Sequence, residues 1–241
     1  MGSSTVAEDR REFNPKLPLD THVLSPHEKV LKTLQIFKIV FEELAQDKAA
    51  RRGKSTATTS VHHDTRDVLL ESGKKVNGTR MIGQVPGVHV GDEFQYKMEI
   101  SLVGLDLNIA RGIDYMHKRD KVLDTSIVAS EGSDYNDKFQ SDVPIYSGEG
   151  GNIMGNDQKV FHDQKMVMGN LALVNSMRLK SPVRVISGLK RSDSRGKHYV
   201  YDGLYVVQDY WEDNEPGCNV ILKLKLCRSP GQPSMDWKHY F

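Results

Sequence analysis

The first regular pattern of apolar and polar residues along the chain spans residues 25–52. Its apolar residues recur at steps of three and four, which places them on one face of an α-helix. Ser25 can cap this helix, Pro26 suits its first position and Glu28 can close a capping box. Gly53 is typical of a residue that follows a helix end. The pattern predicts an amphipathic helix whose apolar face either packs on its own domain or binds a partner.

From residue 81 onward the pattern changes to the two-residue alternation of β-strands. The clearest alternation, over residues 94–102, predicts a strand with one apolar face. Residues 67–71 predict a short helix, and residues 170–175 predict a short helix or a turn. Many short strands with glycine-rich turns and few helices predict a strongly curved sheet or barrel. Further strands are predicted over residues 126–129, 183–186, 201–207 and 219–226.

These patterns divide the chain into four parts. Residues 1–24 are polar and punctuated by prolines, which predicts a disordered tail ahead of the helix at 25–52. Residues 53–62 are rich in Ser and Thr and predict a linker. Residues 63–241 then form the main domain.

Charge shows where a polyanion could bind. The formal net charge of the 241 residues is only +1, so nucleic-acid binding would require local clustering of cations. One run of basic residues has Asp193 as its only nearby acid. A solvated surface is the ordinary explanation of such a run, and a phosphate-binding surface is the alternative. The run contains Arg178, Lys180, Arg184, Lys190, Arg191, Arg195 and Lys197.

Catalytic and metal-binding signatures are missing from the sequence. It has no metalloprotease, serine hydrolase, phosphate-loop or zinc deaminase motif. Its two cysteines, Cys218 and Cys227, cannot form a zinc site by themselves and suit a reducing intracellular compartment. We therefore expect no catalytic centre, no cofactor and no metal in this chain.

Seven short motifs occur in order between residues 63 and 237, and together they resemble the SRA (SET- and RING-associated) domain. The domain is also called YDG, after the tripeptide found here at residues 201–203, and the resemblance is closest to plant histone lysine methyltransferases of the suppressor-of-variegation homologue class. The motifs lie at residues 85–94, 112–116, 146–151, 163–165, 169–173, 182–186 and 199–205.

The resemblance implies both a fold and a function. The fold is α+β and mainly β: a PUA-like, twisted, crescent-shaped barrel flanked by helices. The function is binding of double-stranded DNA that contains 5-methylcytosine, with the modified base flipped into a pocket, which would target a nuclear histone-lysine methyltransferase to methylated chromatin. The catalytic segment of such an enzyme would lie outside this chain. The alternative is a protein-interaction or structural module that keeps the barrel but has a degenerate pocket.

The resemblance also assigns the pocket residues. Tyr146 matches a stacking tyrosine, Ser147 a residue that contacts the base, and Asp137 the acid that accepts a hydrogen bond from the cytosine amine. The first stacking position falls on Tyr135 if one residue is inserted, or on Asp134 without a gap. An aromatic face is needed to replace the lost base stacking, which favours Tyr135.

Two loops are expected to enter the duplex. The position that carries a long or bulky residue in relatives is Ala110 here, and its neighbour Arg111 can reach the orphaned guanine instead. Lys159 belongs to the second loop. The residues expected to contact phosphates are Arg178, Lys180, Lys190, Arg191, Arg195 and Lys197.

Overall fold

The computed structural model describes residues 23–51, 61–130, 143–150, 152–155, 158–190, 197–214, 220–233 and 235. Within these residues the chain forms four helices and nine strands. The helices are α1 (Pro26–Arg51), α2 (Val61–Glu71), α3 (Lys97–Leu102) and α4 (Met168–Leu179). The strands are β1 (Glu93–Phe94), β2 (Ile113–Lys118), β3 (Lys121–Ser130), β4 (Ile145–Ser147), β5 (Asn152–Gly155), β6 (Gln158–Phe161), β7 (Val183–Lys190), β8 (Lys197–Asn214) and β9 (Val220–Arg228).

Seven strands form one mixed sheet in the order β2-β3-β7-β8-β9-β4, with β1 paired to β8. Strands β3 and β7 run parallel, and the other neighbours are antiparallel. Ile113 of β2 and Tyr146 of β4 come from opposite ends of this order, yet they share one buried hydrophobic cluster. The sheet therefore curls around its core. The structure confirms a mainly β fold flanked by helices, with an N-terminal helix.

Helix α1 packs on its own domain. Phe37 and Val40 are buried in one cluster with Leu69, Met98 and Leu102. Val30 joins a second cluster, with Leu34 packed against it, while Phe41 and Leu44 pack against the first cluster. Of the two possibilities left open by the sequence, intramolecular packing is the one observed.

The strand predicted over residues 94–102 is wrong beyond its first residue, Phe94. Only Glu93 and Phe94 are extended in β1, and α3 begins at Lys97. The carboxylate of Glu99 accepts hydrogen bonds from the backbone N–H groups of Gln95 (2.6 Å) and Tyr96 (2.9 Å), which closes the start of the helix. All residues of α3 after Lys97 are buried, so tertiary packing overrides the alternation.

Helix α2 begins at Val61, inside the segment predicted to be a linker, whose residues 53–60 lie outside the described part of the chain. It is fixed by aromatic contacts: the His62 ring stacks on Tyr96, with 5.1 Å between the ring centroids. Strands β2, β4, β5 and β6 were not predicted. No helix within the described ranges is both long and apolar enough to cross a membrane.

Candidate nucleic-acid interface

A groove of about 840 Å³ opens beside the end of β4. The loop before β2 forms one wall, the turn after β4 forms its base, and the residues around the start of α4 form the other wall. The lining residues are Ala110, Arg111, Gly112, Glu149, Gly150, His162, Asp163, Lys165, Val167, Met168 and Asn170.

The predicted pocket residues Tyr146 and Ser147 lie immediately before the groove-lining turn. Tyr146 is only 5% exposed, and its ring belongs to the main core cluster. A Cβ atom added to Gly112 would lie only 2.8 Å from the hydroxyl of Tyr146. The ring of Tyr146 therefore reaches the groove wall at Gly112, where any larger residue would push the hydroxyl away. Ser147 is buried, and its Oγ accepts a hydrogen bond from Nζ of Lys223 at 2.9 Å.

A polar framework that the sequence analysis did not predict holds the turn after β4. Gln164 Nε2 donates to the carbonyl of Gly148 at 2.7 Å, and its Oε1 accepts from the N–H of Leu222 at 3.0 Å. Asn170 Oδ1 accepts from the N–H of Glu149 at 2.8 Å, and its Nδ2 donates to the carbonyl of the same residue at 3.0 Å. Both residues lie within the family's motifs, at residues 163–165 and 169–173, but the sequence alone does not show which backbone groups they bind. Together they fix the backbone that follows Ser147.

Two oppositely charged side chains lie close together in the groove. Arg111 Nη1 lies 3.9 Å from Glu149 Oε1. Burial raises the pKa of Glu149, and the charge of Arg111 opposes that rise. Lys97 donates a hydrogen bond to the carbonyl of Arg111, and burial lowers the pKa of this lysine. The Arg111 loop is thus tied to α3 while its guanidinium remains half-exposed.

The opposite lip of the groove carries two exposed apolar residues. Val167 and Met168 are each 52% exposed, and Met168 has a left-handed backbone with φ of 49°. Arg111 Nη1 lies 3.2 Å from the sulfur of Met168, so the two lips touch at this point. Nothing in the apolar pattern of the sequence distinguished these two residues from the core.

The members of the basic run that the structure describes do not form one surface. Arg178 and Lys180 end α4, about 15 Å from its first residue at the groove, by the 1.5 Å rise of a helix. Lys180 shares a separate cavity with residues of the β2–β3 turn. Lys190 and Lys197 are register partners at the opposite end of β7, about 23 Å from its first residue by the rise of a strand.

Arg184 was expected to belong to this charged surface, and that expectation is wrong. The residue is 1% exposed. Its guanidinium donates to the backbone carbonyls of Leu105 (2.9 Å), Met81 (2.7 Å) and Gly83 (2.8 Å). Burial lowers its pKa, while neighbouring Tyr201 and Asp124 oppose that shift. It is a structural cation inside the fold.

Several predicted site residues lie outside the described part of the chain. These are Tyr135 with its alternative Asp134, the acid Asp137, and the basic residues Arg191 and Arg195. Lys159 lies in β6, but its side chain is not among those described. Ala110 and Arg111 are exposed and line the groove, and their entry into a duplex stays a prediction.

Comparison with known proteins identifies the family. Residues 81–232 match the SAD/SRA domain family. A YDG domain-containing protein of Arabidopsis thaliana is 52% identical over 215 residues, covering 89% of this chain and 52% of that protein. The H3 lysine-9-specific histone-lysine N-methyltransferase SUVH5 of Arabidopsis thaliana is 41% identical over 254 residues, covering 98% of this chain and 32% of the enzyme.

A solved structure agrees with these relatives. The SUVH5 SRA domain in complex with fully methylated CG DNA superposes with a TM-score of 0.56 and 48% identity, covering 65% of this chain and 99% of that one. The chain spans about half the length of the YDG protein and about a third of SUVH5. The chain belongs to the SAD/SRA domain family.

Proposed function

We propose that this chain binds double-stranded DNA containing 5-methylcytosine and accommodates the modified base, turned out of the duplex, in a pocket at Tyr146 and Ser147. The observation that carries the proposal is the groove at the end of β4, whose walls are built from the family's motifs, together with the methylated DNA bound by the SUVH5 SRA domain. Asp137 and either Tyr135 or Asp134 would complete the pocket.

The chemistry of the pocket follows from what a flipped base loses. Aromatic faces replace its stacking, at about 1–3 kcal/mol per base, and an acceptor satisfies its exocyclic amine. Ser147 offers a hydroxyl whose orientation is set by Lys223. The framework of Gln164 and Asn170 fixes the following backbone before the ligand arrives, which reduces the ordering cost of binding.

Arg111 is the side chain best suited to enter the space left by the base. Ala110 ends at a methyl group, whereas the guanidinium of Arg111 is half-exposed at the groove and can donate two hydrogen bonds to the edge of a guanine. The exposed pair Val167 and Met168 on the opposite lip can pack against the opened base step, as apolar wedges do in other DNA complexes.

Phosphate contacts supply the sequence-independent part of the affinity. Lys190 and Lys197 lie at one end of β7, and Arg178 and Lys180 lie beyond the other end. The loop before β2 pairs with the sheet at Val128, which is level with Ile186 near the middle of β7. Helix α4 runs from the groove at Met168 toward Lys180, which lies beyond the Val183 end of β7. The groove therefore lies toward the Lys190 end, and we assign the main contacts to Lys190, Lys197 and the neighbouring Arg191 and Arg195.

In the cell, this activity would bring the protein to methylated chromatin in the nucleus. A parent protein of the SUVH class would carry a histone-lysine methyltransferase segment in addition to this domain. The second candidate is a structural or protein-interaction module with a degenerate pocket. It is favoured by the deep burial of Tyr146, whose ring already packs in the core cluster.

Paired affinities separate the two candidates. Burial of one methyl group is worth about 0.8 kcal/mol, so we expect about a fourfold preference for methylated over unmodified duplex. Asp137→Ala leaves the amine unsatisfied, at about 1–3 kcal/mol, and should abolish the preference while background binding persists. Asp120→Ala, at an exposed turn, is the matched control. Equal affinities of the wild-type protein for both duplexes would favour the degenerate pocket.

A further inference from the structure

Three potential metal ligands meet where α1 begins. One ligand atom each from His27, His89 and Asp92 lies within 4.8 Å of the other two. His27 belongs to the first turn of α1, while His89 and Asp92 belong to the loop that precedes β1. More than 60 residues separate the two histidines in sequence, so spacing could not reveal this cluster. None of the three residues lines the DNA-binding groove.

The ring of His27 is held as metal-ligating histidines are. Its Nδ1 lies 2.9 Å from the carbonyl oxygen of Gly87, which can only accept, so the proton is on Nδ1. That assignment leaves Nε2 with its lone pair available for a metal. A ligating histidine usually donates its second ring N–H to a carbonyl or carboxylate, which fixes the tautomer and the ring orientation.

The loop that carries the other two ligands is itself fixed. Asp92 Oδ2 accepts from the N–H of His89 at 2.8 Å, and the N–H of Asp92 donates to the carbonyl of His89 at 3.0 Å. The loop is anchored to β8, because Gly91 donates to the carbonyl of Tyr201 at 2.8 Å and Tyr201 donates to the carbonyl of Asp92 at 3.0 Å.

The start of α1 is packed tightly on this loop. Gly87 has φ of +81°, and a Cβ atom there would lie 2.3 Å from the carbonyl oxygen of Pro26. The rings of His27 and His89 are 4.5 Å apart between centroids. The helix and the loop therefore present their ligands to one another at a close backbone contact.

We propose that His27, His89 and Asp92 bind a divalent transition-metal ion, Zn²⁺ by preference, which links the start of α1 to the loop before β1. Two imidazoles and one carboxylate match the ligands of Zn²⁺ sites with three protein ligands, in which water takes the fourth position. Bonds of about 2.0–2.1 Å place tetrahedral ligand atoms roughly 3.3 Å apart, so the present atoms must approach by up to about 1.5 Å. His89 is exposed and can make this movement by rotation of its side chain.

Metal binding can be measured on the untagged chain without DNA, so the result is independent of the proposed DNA-binding function. Chelator-treated protein is titrated with Zn²⁺ by calorimetry and melted with and without the metal, and Mg²⁺ serves as the comparison ion. We expect one Zn²⁺ per chain and a rise in Tm of about 5 °C at 100 times the dissociation constant. Mg²⁺ should produce neither effect.

Two exposed histidines provide matched variants. His89→Ala should lower the Zn²⁺ affinity at least tenfold and abolish the rise in Tm, whereas His117→Ala, on β2, should leave both unchanged. Asp92→Asn should also weaken binding and tests the carboxylate separately. Absence of Zn²⁺ binding by the wild-type chain, or equal binding by His89→Ala, would overturn the proposal.

Discussion

The buried cation Arg184 allows the sharpest test of the fold. Replacement of Arg184 by Ala leaves the carbonyls of Leu105, Met81 and Gly83 without their donor. It also removes the positive charge near Asp124, which is fully buried and has a pKa raised well above its usual value by burial. Both effects destabilise the folded chain, because the freed groups remain out of water.

The expected size of the effect follows from these contacts. Removal of one partner of a buried charged network costs about 3–5 kcal/mol, and each buried acceptor that loses its hydrogen bond costs about 1–3 kcal/mol. Relaxation of the loop at residues 81–83 recovers part of the sum, so we expect a loss of at least about 3 kcal/mol in the free energy of unfolding.

Urea denaturation followed by circular dichroism measures this loss. The matched control is Arg178→Ala, an exposed arginine at the end of α4, which should change stability by less than about 0.5 kcal/mol. An Arg184→Ala variant within 1 kcal/mol of the wild-type protein, with weakened DNA binding instead, would refute the structural role and return Arg184 to the phosphate-binding surface.

Three further predictions test the helix, the buried acids and the phosphate contacts. Phe37→Ala should cost about 3–5 kcal/mol in thermal or urea unfolding, while Ile39→Ala on the exposed face of α1 should cost little, and equal losses would contradict the packing of α1. Burial raises the pKa of Asp106 from 3.8 to about 7, so the folded state holds the proton more tightly than the unfolded state. The free energy of unfolding of the wild-type protein should therefore fall relative to that of Asp106→Asn as the pH rises from about 4 to about 7, by up to about 1.4 kcal/mol per pH unit. Parallel pH profiles of the two proteins would contradict the raised pKa of Asp106. The slope of the logarithm of the DNA-binding constant against the logarithm of the salt concentration is expected to be about −4 to −5. Lys190→Ala should weaken binding to methylated and unmodified duplex equally and reduce the magnitude of this slope by about 0.9. Arg178→Ala should leave the slope unchanged.

Local patterns predicted the elements whose signals agree with their surroundings. Helix α1 has caps, periodicity and an apolar face that all favour the same structure, and it begins at Pro26 as expected. The sequences of strands β7 and β9 are continuous apolar or alternating runs, and the sequence analysis predicted a strand at both places. Tyr146 and Ser147 precede the turn that lines the groove, and their role in base binding stays a prediction.

Tertiary interactions explain what the patterns could not predict. Residues 97–102 alternate as a strand does, but they are buried on all sides as helix α3. The basic run is continuous in sequence, yet the members that the structure describes lie at two ends of β7, and Arg184 is buried inside the fold. Contacts between residues far apart in sequence, such as Gln164 with Leu222, leave no local signal.

Base flipping by this chain can be measured directly through the fluorescence of 2-aminopurine placed next to the target cytosine in the duplex. Base stacking quenches this probe, and a neighbouring base that leaves the helix releases the quenching. Base flipping should produce a rise in fluorescence when the protein binds the duplex with 5-methylcytosine, and a much smaller rise with Asp137→Ala at equal saturation. Saturable binding of the methylated duplex with unchanged fluorescence would contradict base flipping by this chain.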